Sequence, residues 1–170
     1  MPLRRTGPVS VPSAWWDVRV LTARRPSIWR PRWEVARDGV PLLTLDGSVW
    51  SGGGHFELAG RRYDIPTNWL GSRYRLESDG AVVAEAERVG RKDWTLTADG
   101  RTHRFRRRSI WRPDQEMVDT SGTVLGGVRR TGTWSRGAEA DLPGLAEPVA
   151  VFALGVVLLS WEQAAAAAAT

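Results

Sequence analysis

Residues 74–84 read YRLESDGAVVA, two short runs of strand character around a turn, and this stretch decides the fold because it recurs. Tyr74 and Leu76 alternate with arginine and glutamate, the period-2 pattern of a strand with one apolar face. Asp79-Gly80 is the dipeptide preferred by a two-residue hairpin turn with positive φ. Asp38-Gly39 lies 41 residues before it and Ser121-Gly122 42 residues after it, each between similar runs. The pentapeptide Ser27-Ile28-Trp29-Arg30-Pro31 returns as Ser109-Ile110-Trp111-Arg112-Pro113, 82 residues on, or two such periods. Fixed-period self-similarity of this length marks a supersecondary unit copied several times.

Two units overlay directly. Residues 56–65 (FELAGRRYDI), then Trp69, then residues 74–84 match residues 94–105, then Trp111, then residues 117–126. Each reads as a hairpin, a tryptophan-bearing connection and a second hairpin. A more degenerate first unit runs from about Trp16 to Leu45. Because the pentapeptide occupies the same place in two units, Trp29 and Trp111 are expected at related corners with their rings largely buried. Three units of four strands give about a dozen strands, too many for a flat open sheet. The expected fold is therefore mainly β, a closed antiparallel barrel, since closure removes the edges.

Residues 148–161, PVAVFALGVVLLSW, carry no charge and no polar face. Pro148 suits the first turn of a helix, and Glu147 suits its positive end. A helix apolar all round belongs inside protein or lipid. Read over residues 148–163 it spans only about 24 Å, short of a ~30 Å hydrocarbon core. Glu162 and Gln163 are expected to end it before an alanine-rich tail at 164–170. The destination is the barrel interior; the alternative is a C-terminal tail anchor. Residues 1–13 are expected to form a loose arm ahead of a single domain at 14–163, since Arg4-Arg5 lacks the apolar segment of a signal peptide.

Composition bounds the chemistry. The 170 residues suit one domain. The charge of +5 comes almost wholly from arginine, with Lys92 the single lysine; it permits an anionic partner without requiring one. Zero cysteines exclude disulfides, thiolate metal sites and cysteine nucleophiles.

A twelve-strand barrel around an apolar C-terminal helix resembles the tubby C-terminal-like superfamily, and within it the LURP-one-related proteins and phospholipid scramblases. Residues 56–65, residues 74–84, and Asp141-Leu142-Pro143 leading into the apolar helix carry the likeness, which covers roughly residues 15–163. The chain lacks the scramblase branch's cysteine-rich palmitoylation segment and any calcium loop of spaced acids, so lipid flipping is not expected. The resemblance implies a fold and a leaning toward phospholipid or phosphoinositide headgroups.

The densest basic cluster is Arg104, Arg106, Arg107 and Arg108, with Arg129-Arg130 in the next hairpin. Guanidinium groups on adjacent strands grip phosphate bidentately; the plainer account is that they occupy the outward positions of strands in an arginine-rich chain. Arg61-Arg62 and Arg24-Arg25 repeat the argument more weakly. Residues 51–55 (SGGGH) lack the lysine and helix of a phosphate loop and read as a linker. His55 and His103 have no ligand-spaced partners, so no metal is expected. No serine sits in a nucleophile elbow, and Glu85 and Glu87 read as a solvated face. No catalytic residue and no cofactor are expected. The chain reads as a cytoplasmic, non-enzymatic module, peripheral at the membrane, for anionic phospholipid. The alternatives are a nucleic-acid-binding barrel, whose required aromatic platforms the alternation turns inward, and a protein-interaction scaffold.

Overall fold

A computed structural model describes residues 20–27, 29–30, 32–46, 54–66, 72–132 and 136–169. Twelve strands precede one helix: β1(Val20–Arg24), β2(Arg32–Arg37), β3(Val40–Asp46), β4(Gly54–Leu58), β5(Arg61–Ile65), β6(Arg73–Ser78), β7(Ala81–Glu87), β8(Asp93–Ala98), β9(Arg101–Arg107), β10(Gln115–Val118), β11(Val124–Thr131), β12(Gly137–Asp141) and α1(Glu147–Ala168). They form one sheet in the order β3-β2-β1-β12-β11-β10-β9-β8-β7-β6-β5-β4, each ladder antiparallel. The expected barrel is thus nearly closed. Its seam lies between β3 and β4, which are neighbours without a ladder. The arm at 1–13, Trp16, Trp69 and residues 51–53 of the glycine linker lie outside the described residues.

The hairpin turns obey the dipeptide rule. Asp38, Asp79 and Asp99 and the glycine after each all have positive φ, and so do Ala59 and Gly60. The strand twist demands that pair of left-handed residues, which Asp-Gly adopts at least cost. The β10–β11 connection is longer. There the Asp119 carboxylate accepts from Ser121 N, Ser121 Oγ and Thr123 N at 2.8, 2.6 and 2.9 Å.

Alternation buries one side of every strand. Trp33, Val35, Phe56, Tyr63, Tyr74, Leu76, Trp94, Leu96 and Phe105 point inward, with Trp94 and Phe105 stacked at 4.1 Å. The helix fills the interior, and every residue from Val149 to Leu158 is buried. It comes nearest to β12 on one side and to β6 and β7 on the other, close to opposite walls of the ring. Ala84 and Ala86 on β7, and Ala138 and Ala140 on β12, are the small inward side chains that admit it. As expected, Pro148 lies in the first turn and Glu147 heads it, held by Arg37 at 2.6 Å.

The helix does not stop at Gln163. It runs to Ala168, 22 residues or about 33 Å. Glutamate, glutamine and alanine are all good helix formers, and Glu162 is held by the Trp33 indole N–H at 2.9 Å and by Arg25 at 3.7 Å. The helix is therefore long and apolar enough to cross a membrane by length and composition, contrary to the shorter reading. The core helix of a soluble protein meets the same test, and this one is mostly enclosed by the sheet.

Candidate functional site

Register divides the six candidate arginines. Arg104, Arg106 and Arg129 alternate with inward Phe105 and Val128 and so lie on the outer wall. Glu116 on β10 stands opposite Arg106 and accepts from its Nε at 3.0 Å, while its other oxygen lies 3.8 Å from Arg108. Arg129 donates to Glu139 at 2.7 Å. Arg130 turns inward at the end of the barrel, its guanidinium 4.8 Å from the Trp161 ring centre and its Nε buried without a partner. Burial pulls its pKa down, and Asp114 acts against that. Arg107, at the same end, and Arg104 make no ion pair among the described residues.

A shallow cleft of about 280 Å³ lies on this outer wall over Gly126 and Gly127, between Arg108 and Arg129. A Cβ at Gly126 would meet the Asp141 carbonyl at 2.3 Å, so the strands need glycine there to approach. Glu116, Glu139 and Asp141 line the cleft as well. Their charges offset the arginines, so the wall is a poor place for phosphate. The weaker candidates are paired too: Arg61 with Asp79 at 3.0 Å, Arg62 with Asp64 at 2.9 Å and Arg24 with Glu34 at 4.0 Å. Glu85 and Glu87 form a ladder with Arg73 and Arg75 across the β6–β7 pair rather than a bare solvated face.

The two pentapeptide corners correct the burial expectation. Ser27 Oγ accepts from Trp29 N at 3.2 Å, and Ser109 Oγ accepts from Trp111 N at 3.0 Å, so the backbones turn alike. Both rings, however, face solvent at 87% exposure, as does Ile110 at 77%. The helix α1 already fills the space within the barrel, which leaves these rings outside. Ile28 and Pro31 lie outside the described residues.

Topology brings these corners together. Four antiparallel steps separate β1 from β9, so the two strands run in the same direction. Their C-terminal ends, and hence both corners, share one rim. The helix leaves through that rim: the Trp161 indole donates to Pro113 O at 2.9 Å in one corner, and Glu162 pairs with Arg25 of the other.

The same rim gathers cations. Its described connections carry Arg25 and Arg30 (β1–β2), Arg88, Arg91 and Lys92 (β7–β8), Arg108 and Arg112 (β9–β10), and Arg136 (β11–β12), against Asp114 in the connections, Asp46, Glu87 and Asp93 at strand ends of the same rim, and Glu162 on the helix there. The connections of the opposite rim carry Asp38, Asp79, Asp99 and Asp119 and no lysine or arginine among the described residues. Arg101 opens a strand there, and Arg61 pairs with Asp79. The two ends of the barrel thus differ in sign.

Among the described residues no group of three histidine, aspartate or glutamate side chains is placed to hold a metal. His103 is half-buried; burial first, and then Arg101, lower its pKa. No family model, no curated protein and no solved structure matches the chain.

Proposed function

We propose that this chain is a non-enzymatic module that binds anionic phospholipid surfaces, phosphoinositides among them, and acts in the cytoplasm as a peripheral membrane protein. The observation that supports this reading is the asymmetry of charge between the two rims. Each basic residue near an anionic leaflet contributes about 1 kcal/mol, so four to six acting together hold a domain reversibly. The corner rim offers that many, including Arg107 of the arginine run, while Arg108 lies 3.8 Å from Glu116, which it shares with Arg106. The wall residues Arg106 and Arg129 already have glutamate partners and contribute less. Arg104 adds to the positive field, and Arg130 is half-buried over Trp161.

A nucleic-acid reading has one observation in its favour, the two exposed indoles beside arginines. Against it, the corners stand four strand spacings apart, roughly 19 Å along the sheet, and no groove between them is evident among the described residues. Exposed Ile110 suits hydrocarbon rather than a stacked base.

Co-sedimentation with neutral, anionic and phosphoinositide-doped vesicles, beside a salt-titrated oligonucleotide shift, tests the assignment. The expected result is binding to anionic vesicles that weakens sharply as the Debye length falls to about 3 Å near 1 M salt. Arg91→Glu with Arg112→Glu removes it, whereas Arg106→Gln with Arg129→Gln retains most of it. Absence of vesicle binding, or tighter binding to the oligonucleotide, overturns the reading.

A further inference from the structure

We infer that the two pentapeptide corners are a paired membrane-insertion device, in which Trp29, Trp111 and Ile110 enter the headgroup boundary of an anionic bilayer. The inference rests on the lipid reading above and adds to it an apolar contact and an orientation, with the barrel axis upright on its corner rim.

A soluble protein seldom leaves two tryptophans almost fully exposed, because each indole removes a large apolar area from water when covered. Trp33, Trp94 and Trp161 are buried, each with its N–H bonded to an oxygen. Trp29 and Trp111 are exposed at equivalent places in two copies of one motif, on one rim. Their charge environment names the occupant. Arg30 and Arg112 follow the indoles directly, and the connections around them are basic. A tryptophan ring with an adjacent cation suits the membrane boundary, where the ring sits among headgroup carbons and the guanidinium meets phosphate. A neutral protein partner would meet net positive charge there. The separation of the corners lets both touch one flat surface at once, so their contributions combine as a bivalent contact.

The test uses the full chain and vesicles of phosphatidylcholine with about 30 mol% phosphatidylserine, a leaflet that attracts basic segments. Trp29→Ala with Trp111→Ala should bind roughly tenfold more weakly or worse, and its residual binding should vanish in salt, since only the electrostatic component is left. Brominated phosphatidylcholine should quench the parent's tryptophan emission but not the variant's. Trp29→Phe with Trp111→Phe should restore most of the binding, and unchanged far-UV circular dichroism should show that the exposed sites leave the fold intact. If the alanine variant binds as the parent does and brominated lipid quenches neither, insertion is wrong while the lipid reading stands. If the parent binds no vesicle, both fall. Insertion is also overturned if the substitutions abolish oligonucleotide binding instead, or convert a sedimenting dimer to monomer.

Discussion

Leu154 is wholly buried, near the middle of the stretch from Val149 to Leu158 in which every residue is buried. Truncation there removes apolar contact and leaves a cavity. Leu154→Ala is expected to cost about 2–5 kcal/mol in urea unfolding. A cost under about 1 kcal/mol would mean that the helix is not enclosed. Leu154→Asp should yield no soluble protein, because an unpaired buried charge costs several kcal/mol against a small total. His103 has a subtler effect. Burial and Arg101 hold its folded pKa below the unfolded value near 6.5, so the unfolded chain binds the proton more readily. Its contribution is intact above that value and lost as pH falls below it. The parent should therefore lose more stability between about pH 7.5 and pH 5 than His103→Gln does, compared by urea midpoints. Equal losses would show that this imidazole is uncoupled from folding.

The strand pairs repeat more faithfully than the sequence. Ladder irregularities fall at Val35/Ala36, Leu76/Glu77 and Met117/Val118, at successive intervals of 41 residues. In each, one residue of the partner strand (Leu42, Val83, Leu125) is left unpaired, and such a bulge bends the strand and sharpens its twist. Three bends at equal intervals help to curl the sheet round the helix. The hairpin of β4 and β5 is the exception to this continuity. It has no ladder to β3 and a single paired position, Asp64 with Glu77, to β6. The Ser78 hydroxyl, donating to Arg62 O at 2.9 Å and accepting from Arg61 Nε at 2.8 Å, reinforces that edge. Backbone protection follows the ladders, so native-state hydrogen exchange should be fastest here. Peptides covering 54–65 should exchange ahead of those covering 101–107, 115–118 and 124–131. Uniform protection would mean the seam is sealed in solution.

The opposite signs of the two rims give the molecule an electrical axis along the barrel. On the lipid reading proposed above, an anionic surface would draw the corner rim toward itself and repel the aspartate rim, so the field would orient the protein before contact. On that proposal the acidic turns would serve alignment rather than adhesion. Asp79→Asn with Asp99→Asn keeps residues that tolerate positive φ and should leave affinity for anionic vesicles within roughly twofold of the parent at moderate salt, because those turns lie far beyond a Debye length of about 8 Å from the bound surface. A gain or loss of tenfold would place the acidic rim at the surface and reverse the orientation.

The barrel and its central helix were legible from the chain because both rest on local patterns. Alternation in 74–84, Asp-Gly turns at a fixed interval and an apolar stretch without a polar face each express a constraint on nearby residues. Duplication of the Ser-Ile-Trp-Arg-Pro corners was legible for the same reason. Their exposure was not: whether a corner tryptophan turns inward depends on what already fills the barrel, and α1 lies more than thirty residues beyond Trp111. Extension of the helix to Ala168 follows good helix formers and was open to local reading, whereas the partners of Glu162, Trp33 and Arg25, lie far from it in sequence. The arginine run could be read as a cluster, but sequence does not say that Glu116 and Glu139 would pair with Arg106 and Arg129 while Arg130 turned onto Trp161. Charge separation between the rims follows from strand direction, which is a property of the folded sheet. Local propensity decided the elements; the enclosing of one helix by twelve strands decided which side chains remained outside.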